Sequence, residues 1–317
     1  MSKCITKPSG KRILIVEPDT VLRNVLRSFL AREHHVDTTA TADDAMEFLH
    51  NSAPYHLALS ELNLNTHPGV GIDFLAEAAI HQPDLITALI TGVRIDDHFD
   101  RLAPAGIRNV LVRTIPFDYI DFSLAVENLL FPEKCMGLKR FMTEPYELQS
   151  GRIRSLDTRR NVVEDAMRFF RNYRRYDTDI NSTRLALEEI INNAVFHAFR
   201  LKDGSEKYRA GEFTHLDPGE EVFVEFGRDT RQLGFSVTDN QGTLNPDVAM
   251  QKVERQISLD GLYDLNGRGI YLSRNLSDRM ILNLHPGVAS QIILLFRHRP
   301  VAHPRPLHIN VIPRSDA

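Results

Sequence analysis

Short apolar strands alternate with amphipathic helices over residues 11–132, and this alternation constrains the fold of the chain more than any other feature. In the helical segments the apolar residues recur at helical spacing, whereas the segments between them are short and rich in β-branched residues. Strands and helices that alternate in this way form a parallel sheet with helices on its faces. The sequence therefore predicts an α/β domain built on a doubly wound, five-stranded parallel sheet. Its strand candidates are RILIV, HVDTTA, HLALSELNL, LITALITG and NVLVRTI.

The alternation stops after residue 132, and a different architecture follows. We interpret residues 133–150 as a linker between two domains. Residues 151–299 predict an α+β sandwich with helices on one face of a mixed sheet, because helices and strands no longer alternate strictly. Residues 300–317 are rich in proline and predict an extended tail. The helices of the second domain are predicted at residues 158–176, 181–200 and 269–278.

Composition and charge exclude several classes of protein. A net charge of −4 does not favour a nucleic-acid or membrane-surface partner, and no apolar run is long enough to span a bilayer. The amino-terminal segment lacks the apolar core of a signal peptide. The two cysteines, Cys4 and Cys135, form neither a metal-ligand spacing nor a disulfide framework. These properties predict a cytoplasmic protein without nucleic-acid or membrane partners, and the basic and aromatic residues 168–176 are interpreted as part of an amphipathic helix.

Polar residues follow several of the predicted parallel strands. Glu17 and Asp19 come directly after the first strand, Glu61 lies near the end of the third, and Thr91 lies on the fourth. Because the carboxyl ends of parallel strands meet at one edge of a doubly wound sheet, we expect these side chains to converge there. In this arrangement residues 11–132 resemble the receiver domain of the bacterial response regulators of two-component systems.

The resemblance implies two adjacent acids that bind Mg²⁺, a phosphoacceptor aspartate ending the third strand, Thr or Ser on the fourth strand, and Lys-Pro on the fifth. The sequence departs from this pattern at three positions. Pro18 replaces the second acid, Glu61 replaces the phosphoacceptor, and Ile115 precedes Pro116 where lysine is expected. Arg113 would supply the cation only if the strand had slipped by two residues.

We therefore expect a pseudo-receiver that has lost phosphotransfer, with Glu17, Asp19, Glu61 and Thr91 as its degenerate site. The longer side chain of Glu61 would extend toward the position of a phosphoryl group. The domain would serve in docking or dimerisation, so a homodimer is one expected state. The alternative is an unrelated flavodoxin-like domain whose acids are solvated.

The stretch LALEEIINNAVFHA, residues 185–198, predicts a helix that carries a polar stripe. Glu189, Asn193 and His197 follow one another at intervals of four residues, so they lie along one side of the helix. Taken alone, the stripe is typical of a solvated helix face, and His197 of a packing residue at a helix end. Two further segments accompany it: the strand FSVTDNQGTL, which runs into Asp239, and the two glycines that open a helix in LNGRGIYLSRNL.

In order and intervals, these three segments resemble the nucleotide-binding fold shared by gyrase, sensor histidine kinases and anti-sigma-factor serine kinases, over about residues 151–298. The segment EEIINNAVFHA most resembles the corresponding segment of the anti-sigma-factor kinases. The resemblance implies that ATP and Mg²⁺ bind here. Asn193 would bind the metal through its amide oxygen, and Glu189 would be the base that accepts the proton of the attacking hydroxyl. Asp239 would accept a hydrogen bond from the adenine amino group.

The resemblance also implies roles for four residues near the nucleotide. Gly242 would let the backbone approach the base. Gly267 and Gly269 would present backbone amides and a helix N-terminus to the phosphates, and Arg268 between them would add a cation. The loop around Gly242 is one residue longer than the Asp-x-Gly pattern of the family.

These observations predict a bacterial signalling protein in which a pseudo-receiver regulates or docks a serine/threonine-kinase-type ATPase domain. Its expected partner is an anti-sigma-factor antagonist domain or a sigma factor. The alternative is a non-catalytic binding module that sequesters a sigma factor or another regulator, in which the altered loops have abolished turnover. A sensor histidine kinase is disfavoured, since no histidine lies between His98 and His197 to serve as a phosphoacceptor.

Overall fold

The structure is a computed structural model that describes residues 10–64, 68–171, 179–257, 268–298 and 305–313. The chain divides into two compact units, Met1–Leu130 and Phe131–Ala317. Within the described ranges, no helix combines the length and the apolar character needed to cross a bilayer.

The described part of the first unit contains five parallel strands in the order β2-β1-β3-β4-β5. This is the flavodoxin-like order, and it confirms the predicted doubly wound sheet. The strands are β1 (Arg12–Val16), β2 (His35–Thr39), β3 (Leu57–Glu61), β4 (Ile86–Thr91) and β5 (Asn109–Val112). The helices are α1 (Thr20–Leu30), α2 (Ala42–Asn51), α3 (Val70–His81), the single turn α4 (Phe99–Leu102) and α5 (Tyr119–Leu130).

Burial on both faces explains why the central strands of this sheet are almost continuous apolar runs. The side chains of β1 from Ile13 to Val16 are fully buried, as are most of those of β3, since helices cover both faces of a doubly wound sheet.

At the carboxyl edge of the sheet, Asp19 is the N-cap residue of α1. Its carboxylate accepts hydrogen bonds from the backbone N–H groups of Val21 and Leu22 at 2.8 and 2.9 Å, and such a cap stabilises the start of a helix.

The described part of the second unit contains a mixed sheet in the order β11-β9-β10-β8-β7-β6. Neighbouring strands are antiparallel, except that β11 runs parallel to β9. This confirms the predicted α+β sandwich. The strands are β6 (Glu147–Ile153), β7 (Val222–Arg228), β8 (Gln232–Asp239), β9 (Arg279–His285), β10 (Ala289–Arg297) and β11 (Leu307–Val311). The helices are α6 (Leu156–Arg171), α7 (Ile180–Asn192), α8 (Pro246–Ile257) and α9 (Arg268–Leu276).

The segment predicted as a linker, residues 133–150, belongs to the second unit. Its last residues open β6, and the backbone N–H groups of Gly137 and Leu138 donate to Gln291 Oε1 and Glu225 Oε2, both at 3.0 Å. These side chains come from strands that are far away in the sequence. The interpretation as a linker rested on the absence of a local periodic pattern, which does not reveal such long-range contacts.

The segment predicted as an extended tail contains β11, which is a correction to the sequence analysis. A ladder of buried amides ties β11 to the sheet: Asn310 Nδ2 donates to Asn283 Oδ1 at 2.8 Å, and Asn283 Nδ2 donates to Gln291 Oε1 at 3.0 Å. Buried amides require such partners. The partners of these amides lie on other strands and are not evident from the local sequence. The proline content of the segment therefore favoured the wrong prediction of an extended tail.

The predicted helix at residues 181–200 is divided in two. α7 ends at Asn192, and Asn193–His197 form a π-helical turn that continues it. Turns of this kind are frequent at functional sites, because they redirect the side chains that follow. The predicted helix at residues 158–176 corresponds to α6 as far as Arg171, and its remaining residues lie outside the described part of the chain.

Candidate functional site

Three of the four predicted residues of the first unit converge at the carboxyl edge of its sheet. Thr91 Oγ1 donates a hydrogen bond to Glu61 Oε1 at 2.9 Å. Arg113 lies beside both acids, with Nη1 3.6 Å from Glu61 Oε2 and 4.0 Å from Glu17 Oε2. Its backbone N–H donates to Thr91 O at 2.8 Å, which holds Arg113 at the end of β5. The buried acids therefore share one cation.

Ile115 does not lie where the sequence pattern placed it. It is 89% exposed, and Arg113, two residues earlier, supplies the cation beside the acids. The Asp19 carboxylate caps α1, while its backbone N–H donates to Glu17 Oε1 at 2.9 Å and its charge interacts with Glu17 and Arg113. The hydrogen bond from Leu22, together with that from Val21, holds the pKa of the Asp19 carboxyl below its usual value.

Burial controls the protonation of the two remaining acids. It raises the pKa of Glu17 to about 6, and the nearby Glu61 adds to this effect while Arg113 opposes it. Burial raises the pKa of Glu61 as well, against the hydrogen bond from Thr91 and the charge of Arg113. One oxygen of each carboxylate, Oε2, is buried without a hydrogen-bond partner. A desolvated carboxylate of this kind favours its neutral form.

In the second unit, Glu189 and Asn193 face the first turn of α9. A Cβ on Gly269 would lie 2.9 Å from Glu189 Oε2 and 3.0 Å from Asn193 Nδ2. The absence of a Cβ at Gly269 therefore leaves room for these two side chains, which would have to shift to accommodate a larger residue. The structure thus brings the polar stripe of α7 next to the second glycine of the GRG segment.

The neighbouring residues of the same types are engaged elsewhere. Glu188 accepts a hydrogen bond from Arg184 at 2.9 Å, and Asn192 accepts one from Arg159 at 2.7 Å. The pairs Glu188–Glu189 and Asn192–Asn193 therefore each contain one residue that faces α9 and one that pairs with an arginine.

A cavity of about 160 Å³ lies next to Asn193, between α7, the end of β8 and the start of α9. A cavity of this size has room for a planar heterocycle. Apolar walls with a few polar groups are typical of sites for such rings. The polar side chains in its wall are Asn193, His197, Arg200, Asp239, Thr243, Asn245 and Ser290, and the apolar ones include Ile190, Val237, Leu244, Ile270 and Ile292.

Asp239 ends β8 in the wall of this cavity. The strand register places it opposite Ser290 on β10. Its Oδ1 accepts hydrogen bonds from the backbone N–H groups of Gln241 and Gly242, both at 2.9 Å. Burial raises the pKa of the Asp239 carboxyl, and the hydrogen bonds from Gln241, Gly242 and Ser290 oppose this shift. The carboxylate is thus held in place by its own loop and by the neighbouring strand.

Gly242 does not line the cavity. Its φ is +62°, and a Cβ there would lie 2.3 Å from His285 O, so the glycine allows the loop to pack on the turn between β9 and β10. Of the GRG segment, Gly267 lies outside the described residues. Arg268 is the first residue of α9, but its side chain is not described either.

The sequence analysis did not predict the part of the cavity wall that His197, Arg200 and Thr243 form. His197 lines the cavity instead of only packing at a helix end, and its Nδ1 lies 2.7 Å from Glu206 Oε1. Arg200 Nη1 lies 3.7 Å from the same oxygen. Thr243 Oγ1 donates to Ala198 O at 2.8 Å, which attaches the loop after β8 to the end of the π-helical turn. The recurrence of His197 at four residues from Asn193 was the only signal for this part.

The residues present fit a magnesium ion that arrives with a nucleotide. Among the described residues, no group of three or more His, Cys, Asp or Glu side chains could hold a metal ion by itself. Mg²⁺ commonly takes most of its ligands from phosphates and water and needs few from the protein. Asn193 has a buried amide nitrogen without a hydrogen-bond partner in the described structure. Since the two amide atoms can exchange places, its oxygen could take that position.

Comparison with known proteins decides the class of the second unit. Residues 153–293 match the family model of the histidine kinase-like ATPase domain. The second unit is a histidine kinase-like ATPase domain. Together with the strand order of the first unit, this shows that the chain joins a receiver-like domain to a kinase-like ATPase domain. A search of curated proteins finds no significant match to the sequence.

Several solved structures are similar to the receiver-like domain. A CheY-like response regulator receiver domain protein from Methanospirillum hungatei JF-1 has 25% identity, covers 41% of this chain and 100% of its own, and gives a TM-score of 0.36. The signal receiver domain of an HD domain-containing protein from Pseudomonas fluorescens Pf-5 has 21% identity, with coverages of 41% and 91% and a TM-score of 0.35. A response regulator receiver domain protein from Clostridium thermocellum has 18% identity, with coverages of 39% and 97% and a TM-score of 0.34.

The raised pKa of Glu17 predicts a pH-dependent stability of the receiver-like domain. Because the folded pKa of about 6 lies above the ordinary value of 4.5, the native state keeps a proton that the unfolded state has lost. The contribution of Glu17 to stability therefore falls as pH rises through that window. Glu17→Gln removes the ionisation and should raise the unfolding free energy relative to wild type by up to about 2 kcal/mol at pH 7.5. At pH 4.5 the difference should be small. Urea unfolding followed by circular dichroism checks this.

The matched control is Glu47→Gln, the same substitution at an exposed position of α2. Its effect should not change with pH in the same way. A Glu17→Gln effect that is equal at both pH values would contradict the assignment of a raised pKa to Glu17.

The close approach of α9 to α7 predicts a second effect. In Gly269→Ala the new Cβ would push against the Glu189 and Asn193 side chains, while alanine is itself favourable in a helix. We expect the melting temperature to stay close to wild type and the affinity for Mg-ATP to fall at least tenfold, which is about 1.4 kcal/mol. Calorimetric titration measures this, with Asn275→Ala on the same helix as control. Equal affinities for both variants would show that this contact does not shape the nucleotide site.

Proposed function

We propose that the ATPase domain binds Mg-ATP and transfers its γ-phosphoryl group to a Ser or Thr hydroxyl of a protein partner. The observation that carries this proposal is the contact of Gly269 with Glu189 and Asn193 beside a small, largely apolar cavity. An acid, an amide and a helix N-terminus then lie together next to a space for a planar base. The resemblance to anti-sigma-factor kinases favours an anti-sigma-factor antagonist domain as the partner, in the cytoplasm.

Each part of the nucleotide would be bound by residues from a different element of the domain. Asp239 and Ser290 would bind the base from the wall of the cavity, where the loop after β8 holds the Asp239 carboxylate in place. The amide N–H groups at the start of α9 would bind phosphate oxygens, since a helix N-terminus carries partial positive charge. Asn193 would hold the magnesium ion, which when bound neutralises phosphate charge.

Glu189 would act on the partner's hydroxyl. Its carboxylate would accept the hydroxyl proton while the hydroxyl oxygen forms a bond to the γ-phosphorus and the bond to the ADP oxygen breaks. The position of Glu189 one helical turn before Asn193 favours this role, because it places the base close to the residue that would hold the metal.

The receiver-like domain would dock or regulate the ATPase domain without accepting phosphate. Arg113 lies beside Glu61 and Glu17, and Thr91 is hydrogen-bonded to Glu61, so the groups that would assist phosphotransfer are engaged with one another.

A non-catalytic binding module that sequesters a sigma factor or another regulator is the second candidate. The observation that favours it is the Asp239 carboxylate, whose Oδ1 already accepts two hydrogen bonds from its own loop. A carboxylate satisfied in this way has less capacity left for a base.

Matched variants separate the two candidates. Asn193→Ala should abolish the Mg²⁺ dependence of ATP binding, whereas Asn192→Ala, its neighbour on the arginine-paired side, should leave it unchanged. Glu189→Gln should leave ATP binding nearly intact and stop ADP release, because a proton acceptor contributes only in the reacting complex. Glu188→Gln should retain both activities. Calorimetry and an ADP-release assay measure these effects.

Two outcomes would be decisive against the kinase proposal. If wild type gives no heat with high micromolar Mg-ATP while circular dichroism shows a folded protein, the binding-module candidate takes its place. If ATP binds and Glu189→Gln turns over like wild type, the site is real and another group is the base.

The receiver-like domain should remain unmodified by small phosphodonors. Incubation with acetyl phosphate and Mg²⁺ should leave the intact mass of the protein unchanged, because Glu61 replaces the aspartate and Pro18 offers no metal ligand. A phosphorylatable receiver treated in the same tube is the control. A stoichiometric adduct that disappears in Glu61→Gln would contradict the prediction.

A further inference from the structure

A carboxylate holds the imidazole of His197 in the wall of the cavity. His197 Nδ1 lies 2.7 Å from Glu206 Oε1, and Arg200 Nη1 lies 3.7 Å from the same oxygen. Of these three residues, His197 and Arg200 line the cavity. Glu206 is therefore placed to act on a ligand of the cavity through its two neighbours.

A short hairpin presents Glu206 to the imidazole. Arg200 and Glu206 oppose each other as antiparallel bridge partners. The turn between them contains Gly204 with a φ of +83°, a conformation that glycine adopts without steric cost. Asp203 Oδ1 accepts hydrogen bonds from the backbone N–H and the hydroxyl of Ser205 at 2.9 and 2.6 Å, which stabilise the turn. The position of the Glu206 carboxylate is thus set by local backbone structure.

The Glu206 carboxylate selects one tautomer of His197. An ionised carboxylate only accepts hydrogen bonds, so the nitrogen beside it, Nδ1, is the one that carries the proton. In the neutral ring the other nitrogen, Nε2, is then an acceptor, because the hydrogen bond at one ring nitrogen decides the role of the other. His197 therefore offers the cavity a hydrogen-bond acceptor.

The order of the polar stripe indicates which part of a nucleotide lies beside His197. In the proposed reaction Glu189 acts at the γ-phosphoryl group and Asn193 holds the metal ion on the phosphates. His197 lies about 12 Å from Glu189 along the helix axis, in the direction that leads from the triphosphate to the nucleoside. Since Asp239 and Ser290 would bind the base, the ribose hydroxyls are the donors of the nucleoside that remain for His197.

We propose that Glu206 is a positioning residue that holds His197 Nε2 toward the nucleotide, where it accepts a hydrogen bond from a ribose hydroxyl. The substrate class is then a ribonucleoside triphosphate, and this inference rests on the proposed nucleotide site. A site that provides an acceptor for a hydroxyl discriminates against an analogue without that hydroxyl, because the acceptor is left without a partner.

The sugar of the nucleotide provides the first test. The full chain is titrated calorimetrically with the magnesium complexes of ATP, 2′-deoxy-ATP and 3′-deoxy-ATP. Wild type should bind one of the two deoxy analogues at least tenfold more weakly than ATP, which is about 1.4 kcal/mol. His197→Phe keeps a planar ring and removes both nitrogens, so this variant should bind all three nucleotides with similar affinity.

Glu206→Gln tests the positioning role. An amide donates as well as accepts, so it no longer forces the proton onto Nδ1 of the imidazole. The preference for ATP over the weaker deoxy analogue should fall at least about threefold in this variant. Glu212→Gln, the same substitution at an exposed position further along the loop, should keep the wild-type preference.

Nuclear magnetic resonance of the ¹⁵N-labelled imidazole reads the tautomer directly. The signal of His197 is identified by its absence in His197→Phe. In wild type without nucleotide, the ring should carry its proton on Nδ1. In Glu206→Gln, the population with the proton on Nε2 should increase, and in Glu212→Gln the wild-type tautomer should persist.

Three results would overturn the proposal. They are equal wild-type affinities for ATP and both deoxy analogues, an undiminished preference for ATP in Glu206→Gln, and a wild-type His197 with a proton on Nε2. Absence of nucleotide binding by wild type would instead refute the proposed function, and with it the ribose contact, while the resonance measurement would still test the pair of Glu206 and His197. Circular dichroism of each variant establishes that its fold is retained.

Discussion

The candidate nucleotide site is organised by one close approach, that of Gly269 at the start of α9 to Glu189 and Asn193 on α7. A Cβ at this position would come within 3.0 Å of both side chains. This contact brings the polar stripe, the helix N-terminus and the adjoining cavity together. The register of β8 and β10 places Asp239 and Ser290 at the same cavity, so two independent packing constraints meet there.

In the receiver-like domain, the main constraint is the compensation of buried negative charge. Two buried carboxylates with one arginine between them leave an excess of negative charge in a desolvated place, and burial raises the pKa values of both Glu17 and Glu61 as a result. Arg113 and the hydroxyl of Thr91 compensate part of this cost without an added ligand. The site is therefore built around internal partners.

Much of the architecture could be predicted, because periodicity is a local property. The five strands of the first sheet, the helices between them and the helical stripe around Asn193 could all be read from neighbouring residues. β11 could not, since its Asn310 is satisfied by Asn283 on a strand some thirty residues earlier. The sequence pattern places Ile115 at the lysine position and offers Arg113 as the cation only through a slip of two residues, because spacing alone does not show which side chain turns toward the acids.

The sequence by itself determined the two fold classes, the polar stripe with Glu189 and Asn193, and the loss of the phosphoacceptor aspartate at Glu61. These are matters of residue type and local spacing. Only the tertiary structure decided that Gly242 serves the packing of its loop, that His197 lines the cavity beside Glu206, and that Arg113 lies beside the two buried acids. Each of these depends on a contact between segments distant in sequence, and such contacts are set by packing and strand register, to which no local pattern refers.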